Sequence, residues 1–122
     1  MTRLLLVEDE FLIALTLESD LKESGYAVVG IAVSADEAER LAARERPDLV
    51  IMDIRLVGAR DGIAAAHAIF AQTGIRCIFA TAHADAQSKA RAQGAAPLGW
   101  LQKPYGRDTL IATVESALKM LG

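Results

Sequence analysis

Five short apolar runs, each followed by a helix-forming segment, constrain this chain more than any other feature. Arg3–Val7 ends abruptly in Glu8-Asp9-Glu10. Phe11–Glu23 follows, with Leu12, Ile13, Leu17 and Leu21 at helical spacing and Gly25 as a stop. Ala27–Ala32 is the second β run. Ser34 and Glu37 form a capping box for a helix carrying Ala38, Leu41 and Ala42, which ends before Pro47. The third run lies within Asp48–Ile54, centred on Leu49–Met52. Ala64–Ala71 reads as a helix ending at Gly74, Arg76–Ala80 as the fourth strand, and Ala84–Ala92 as a small-residue helix ending at Gly94. Leu98–Leu101 is a short fifth strand. Asp108–Leu121 closes the pattern, with Leu110, Ile111, Val114, Ala117, Leu118 and Leu121 on one face. Continuous apolar strands are buried on both sides, so the alternation predicts an α/β domain: a parallel sheet covered by helices on both faces. The 122 residues suffice for one such core, and 23 alanines favour helices packed close to a flat layer.

In such a sheet a crevice opens outside the carboxyl ends of the strands, where the strand order reverses. The first strand delivers Glu8 and Asp9 to that edge, the third Asp53, the fourth Thr81 and the fifth Lys103. With the first and third strands adjacent, three carboxylates converge, and they repel one another unless a cation intervenes. An all-oxygen set with room for water suits Mg²⁺ or Mn²⁺. Lys103 adds a fixed positive charge and Thr81 a hydroxyl, and together these suit a phosphoryl group carried on a carboxylate. A net charge of −3 lacks the basic footprint of a nucleic-acid or anionic-membrane binder. One cysteine, Cys77, excludes an internal disulfide and a multi-cysteine zinc site. The N-terminus reads as neither a signal peptide nor a membrane span, which makes a cytoplasmic domain the expectation.

At these residues the chain resembles the receiver domain of two-component response regulators. Leu6-Val7-Glu8-Asp9-Glu10, Asp48–Asp53, Asp61-Gly62, Ala80-Thr81-Ala82 and Lys103-Pro104-Tyr105 carry the resemblance, in order and over essentially the whole length. It implies a single domain over 1–122 with the flavodoxin-like, doubly wound five-stranded sheet, order 2-1-3-4-5. It also implies a phosphorelay switch. Asp53 would accept a phosphoryl group from a sensor histidine kinase or phosphotransfer protein. Asp9 would bind Mg²⁺ directly, Glu8 through water, and the backbone carbonyl of Arg55 would complete the protein ligands. Lys103 would pair with one phosphoryl oxygen and Thr81 would move to another. Trp100 stands where the family places a switching Tyr or Phe. The Lys103–Pro104 peptide would be cis. Such a chain catalyses only its own phosphorylation and dephosphorylation. Its output would run through the face formed by Ala84–Ala92, the fifth strand and Ile111–Leu118, to an unknown downstream protein or a second copy. No direct contact with nucleic acid or membrane is expected.

Some positions depart from the family pattern. Glu8 replaces the usual aspartate, and the segment Leu56–Gly62 lacks a proline and is one residue longer than the common loop. Phe79–His83 resembles a Phe-Ala-Thr-Gly-Tyr subgroup only as far as Thr81. Arg55 and His83 flank the expected opening to the phosphoryl group. Cys77 reads as a core residue, and His67 as surface or packing. Position 55 is Arg, not the second acid of a haloacid-dehalogenase phosphatase, and no Gly-rich phosphate loop is present. The remaining alternative is a degenerate receiver or phosphate sink acting through phosphorylation-independent contacts. The chain is read as either a single-domain regulator or a receiver cut from a longer protein.

Overall fold

A computed structural model describes residues 1–122. Five strands, β1 (Arg3–Val7), β2 (Ala27–Ala32), β3 (Leu49–Asp53), β4 (Cys77–Thr81) and β5 (Gly99–Gln102), alternate with five helices. The helices are α1 (Phe11–Glu23), α2 (Ala35–Glu45), α3 (Gly62–Thr73), α4 (Ala86–Ala92) and α5 (Arg107–Leu121), and one 3-10 turn, Gln93–Ala95, follows α4. All strand pairs are parallel and the order is β2-β1-β3-β4-β5. The alternation predicted a parallel sheet covered on both faces, and this order is the flavodoxin-like, doubly wound one that the resemblance implied.

Alternate residues of each central strand supply two separate cores. Leu5, Val7, Val50, Met52, Cys77 and Phe79 pack with α2, α3 and the α4 end. Leu4, Leu6, Leu49, Ile51, Ile78 and Leu101 pack with α1 and α5. Alanine dominates the helical side of the first core, through Ala35, Ala38, Ala42, Ala65, Ala66, Ala92 and Ala95. Small side chains there let α2 and α3 lie close to the sheet.

Element ends moved where caps decided them. Asp61 accepts from the Ala64 N–H at 2.9 Å, so α3 begins at Gly62 rather than Ala64, and it runs on to Thr73. Asp85 accepts from the Ser88 N–H at 2.7 Å, so α4 begins two residues after Ala84. β4 and β5 each sit one residue later than their apolar runs suggested. In α1 the buried residues are Ala14, Leu17 and Leu21, whereas Leu12 and Ile13 are exposed. In α5 the apolar stripe holds for Leu110, Val114 and Ala117, but Leu121 is exposed at the helix end. No helix is long and apolar enough to cross a membrane.

Candidate functional site

The carboxyl ends of β1, β3, β4 and β5 meet at one edge of the sheet, as parallel pairing requires. Glu8, Asp53 and Thr81 are the buried polar residues of the chain, at 3%, 5% and 8% exposure. Asp53 ends β3 directly beside β1, and Glu8 follows β1 with its N–H bonded to the Ala32 carbonyl at 2.9 Å. The Lys103 ammonium reaches in from the end of β5, 3.1 Å from Glu8 Oε1 and 3.0 Å from Asp53 Oδ2. The Lys103–Pro104 peptide is cis. Asp9, half-buried, completes a carboxylate group with Glu8 and Asp53 whose oxygens lie within 4.8 Å of one another.

Charge is unbalanced here. Burial, then the hydrogen bond and charge of Asp53, push the Glu8 carboxyl above its ordinary value. Burial and then Glu8 do the same to Asp9. Burial alone would lower the Lys103 ammonium, but its bonds to Asp53 and Glu8 outweigh that and raise it. One ammonium therefore faces three carboxylates. An all-oxygen cluster with surplus negative charge fits a hard divalent cation.

Thr81 ends β4 at the same edge. Its hydroxyl donates to the His83 carbonyl at 3.4 Å and accepts from the His83 N–H at 3.2 Å. Arg55 follows Asp53 by two residues and its side chain is exposed at the rim. Trp100 lies in from the edge on β5. Its ring is 5.0 Å from that of Phe79, tilted by 30°, and the Lys89 ammonium of α4 sits 5.8 Å over it. Trp100 is thus not gathered into the carboxylate cluster.

The long segment after Asp53 has a defined course. Val57 forms a parallel bridge with Ser34. Arg60 pairs with Asp36 at 3.1 Å and Glu39 at 2.5 Å, which moors the segment to α2. At its end Gly62 donates to the Ile54 carbonyl at 2.8 Å. A Cβ on Gly62 would lie 2.0 Å from the Asp53 carbonyl oxygen. Asp61-Gly62 was part of the family resemblance, but the steric demand at Gly62 is revealed only by the three-dimensional approach of α3 to β3. Cys77 is fully buried, its thiol pushed up to about 12 by burial, as befits a core residue. His67 bridges helices: its Nε2 lies 2.7 Å from the Arg91 carbonyl.

An apolar cavity of about 600 Å³ adjoins Lys103, lined by Leu12, Ile13, Thr16, Pro104, Tyr105 and Leu110 among others. Phe11, Leu12 and Ile13 stand exposed at its margin or nearby on α1.

Comparison with known proteins gives a consistent result. Residues 4–115 match the response regulator receiver domain. The chain is 39% identical over 116 residues to the transcriptional regulatory protein PdtaR of Mycobacterium tuberculosis, covering 95% of this chain and 56% of that protein. It is 30% identical over 118 residues to the phyllosphere-induced regulator PhyR of Methylorubrum extorquens, covering 96% of this chain and 43% of that one. The chain thus spans about half the length of these curated relatives. Among solved structures, the signal receiver domain of a modulated diguanylate cyclase from Desulfovibrio desulfuricans G20 superposes with a TM-score of 0.89 at 38% identity, over 98% of this chain and 95% of that one. The chemotaxis protein CheY4 of Vibrio cholerae superposes with a TM-score of 0.88 at 25% identity, over 96% and 98% of the two chains.

Proposed function

The chain belongs to the response regulator receiver family, and from that premise we propose that it is a phosphorylation switch with Asp53 as the phosphoryl acceptor. The observation that carries this reading is the Lys103 ammonium, 3.0 Å from a buried Asp53 and 3.1 Å from Glu8 beside the surplus of carboxylate. A carboxylate oxygen of Asp53 attacks the phosphorus of a phosphohistidine on a sensor kinase or phosphotransfer protein. The new P–O bond forms as the P–N bond breaks, and the imidazole leaves. Lys103 turns from its carboxylates toward a phosphoryl oxygen, and the Thr81 hydroxyl leaves His83 for another. Glu8, Asp9, Asp53 and the Arg55 backbone carbonyl would hold Mg²⁺ or Mn²⁺, which neutralises charge on the phosphoryl oxygens. The exposed Phe11, Leu12 and Ile13 and the cavity beside Lys103 offer the donor protein an apolar footing next to the reacting carboxylate. Arg55 and His83 flank the opening and govern the approach of hydrolytic water.

Loss of the His83 contacts loosens the start of α4, and Trp100 on β5 responds through Phe79 and Lys89. The face of α4, β5 and α5 then changes its fit for a downstream protein or a second copy. The competing reading is a degenerate receiver or phosphate sink.

Intact-protein mass separates a chain that takes phosphate, as a switch or a sink, from a degenerate receiver. Incubation with Mg²⁺ and a small-molecule phosphodonor should add one phosphoryl group. The adduct should vanish in Asp53→Asn and in the presence of a chelator. An unmodified wild-type mass, with no binding of a stable phosphoryl mimic, would overturn the switch reading in favour of constitutive contacts.

A further inference from the structure

Gln102 is exposed and makes no packing contribution to either core, yet its side chain is doubly bonded. It lies opposite Thr81 in the pairing of β4 with β5, and the next residue, Lys103, donates its N–H to the Thr81 carbonyl at 2.8 Å. Strand alternation sends Gln102 to the same side of the sheet as Trp100, toward α4. There its Nε2 donates to the Ala82 carbonyl and its Oε1 accepts from the Ala84 N–H at 3.4 Å. One planar amide therefore grips the β4–α4 connection on both sides of His83. The backbone of His83 is what occupies the Thr81 hydroxyl.

Little else holds this stretch. Ala82 and His83 are exposed, and α4 buries only Ala92 at its far end. A Thr81 hydroxyl that leaves His83 must carry the neighbouring backbone with it or break the turn it forms. The Gln102 amide opposes both.

We infer that Gln102 is a positioning residue that keeps the Thr81 hydroxyl on His83 and so sets how readily Thr81 reaches a phosphoryl group on Asp53. The inference rests on the proposed phosphorylation of Asp53. Linkage makes the effect reciprocal: whatever draws Thr81 toward Asp53 weakens the Gln102 grip, and removing the grip favours the ligand that draws it.

Gln102→Met keeps the side-chain length and removes both hydrogen bonds. Binding of beryllofluoride in the presence of Mg²⁺, followed by fluorine NMR, should tighten about three- to tenfold, the value of one to two ordinary hydrogen bonds. In a Thr81→Ala background Gln102→Met should change nothing, because no hydroxyl remains to be released. In the phosphate-free protein, hydrogen exchange at the Ala84 amide should speed up in Gln102→Met. Equal or weaker binding by Gln102→Met overturns the inference, as does an equal gain in the Thr81→Ala background or unchanged exchange at Ala84. Failure of the wild type to bind beryllofluoride would instead remove the phosphorylation reading, and this inference with it.

Discussion

A methyl group at position 62 would meet the Asp53 carbonyl oxygen at 2.0 Å, and the side chain of Met52 at 2.9 Å. The obstruction is backbone and core, neither of which can step aside. Gly62→Ala should therefore destabilise the fold by about 3 kcal/mol, read as a lower urea midpoint. It should also abolish the phosphodonor adduct, although every polar residue of the site survives. Glu8 behaves in the opposite sense. Its carboxyl is raised first by burial and then by Asp53, and a raised acid binds protons more tightly folded than unfolded. Stability is thus lost as pH rises through the interval above its ordinary value. Glu8→Gln should raise the melting temperature of the metal-free protein at neutral pH. The same change should weaken Mg²⁺ binding, measured by calorimetric titration. Glu8, Asp9, Asp53, Thr81 and Lys103 were legible in the sequence because each follows an apolar run, and parallel strands carry such residues to one edge. Gly62 and Gln102 were not, since their importance depends on what another element brings near them.

Among the elements, α3 shows how a cap joins local and tertiary structure. Asp61 accepts from the Ala64 N–H at 2.9 Å and pairs with Arg91 of α4 at 3.0 Å. Burial would raise its carboxyl, but the Ala64 N–H and Arg91 outweigh burial and lower it. The stabilisation is complete above the ordinary value of 3.8 and is lost as pH falls through the lowered one. Asp61→Ala should cost about 1–2 kcal/mol in urea unfolding at pH 7, with the difference from wild type shrinking in acid. Ser34 was recognisable as a cap because Glu37 stands at the capping-box position; Ser34 does accept from the Glu37 N–H at 3.2 Å, while the Glu37 carboxylate accepts from the Val33 N–H, one residue before the cap, at 2.8 Å. Asp61 and Asp85 have Ala64 and Ser88 three residues on, so no reciprocal partner marked them. The first turn of α1 misled for a different reason. Phe11 to Leu15 is uniformly apolar, so periodicity there is compatible with more than one buried face, and Ala14 is the residue that goes inward.

Across the whole molecule, the site joins residues 95 apart in the chain, Glu8 and Lys103, so it exists only when the sheet is complete. A ligand that binds there binds only the folded chain. Mg²⁺ at a hundredfold excess over its dissociation constant should add about 2.7 kcal/mol of stability. For a domain of this size that is a rise of about 10 °C in melting temperature, which a chelator should reverse. Asp53→Asn should blunt the rise. The two-faced core was legible from the alternation alone and the strand order from the family resemblance, whereas the course of residues 55–61 was not. Arg60 fixes that course through Asp36 and Glu39, and such long-range ion pairs leave no periodic trace. The lone thiol and the lone indole have a practical corollary. Cys77 is sealed in β4 and Trp100 sits against α4, so the chain carries one native indole donor and no accessible native thiol. A cysteine placed on the outer side of α4, as in Gln87→Cys, would take a single acceptor dye without altering either residue. Resonance energy transfer from Trp100 would then register any travel of that helix against the sheet, in real time, on the addition of a phosphodonor.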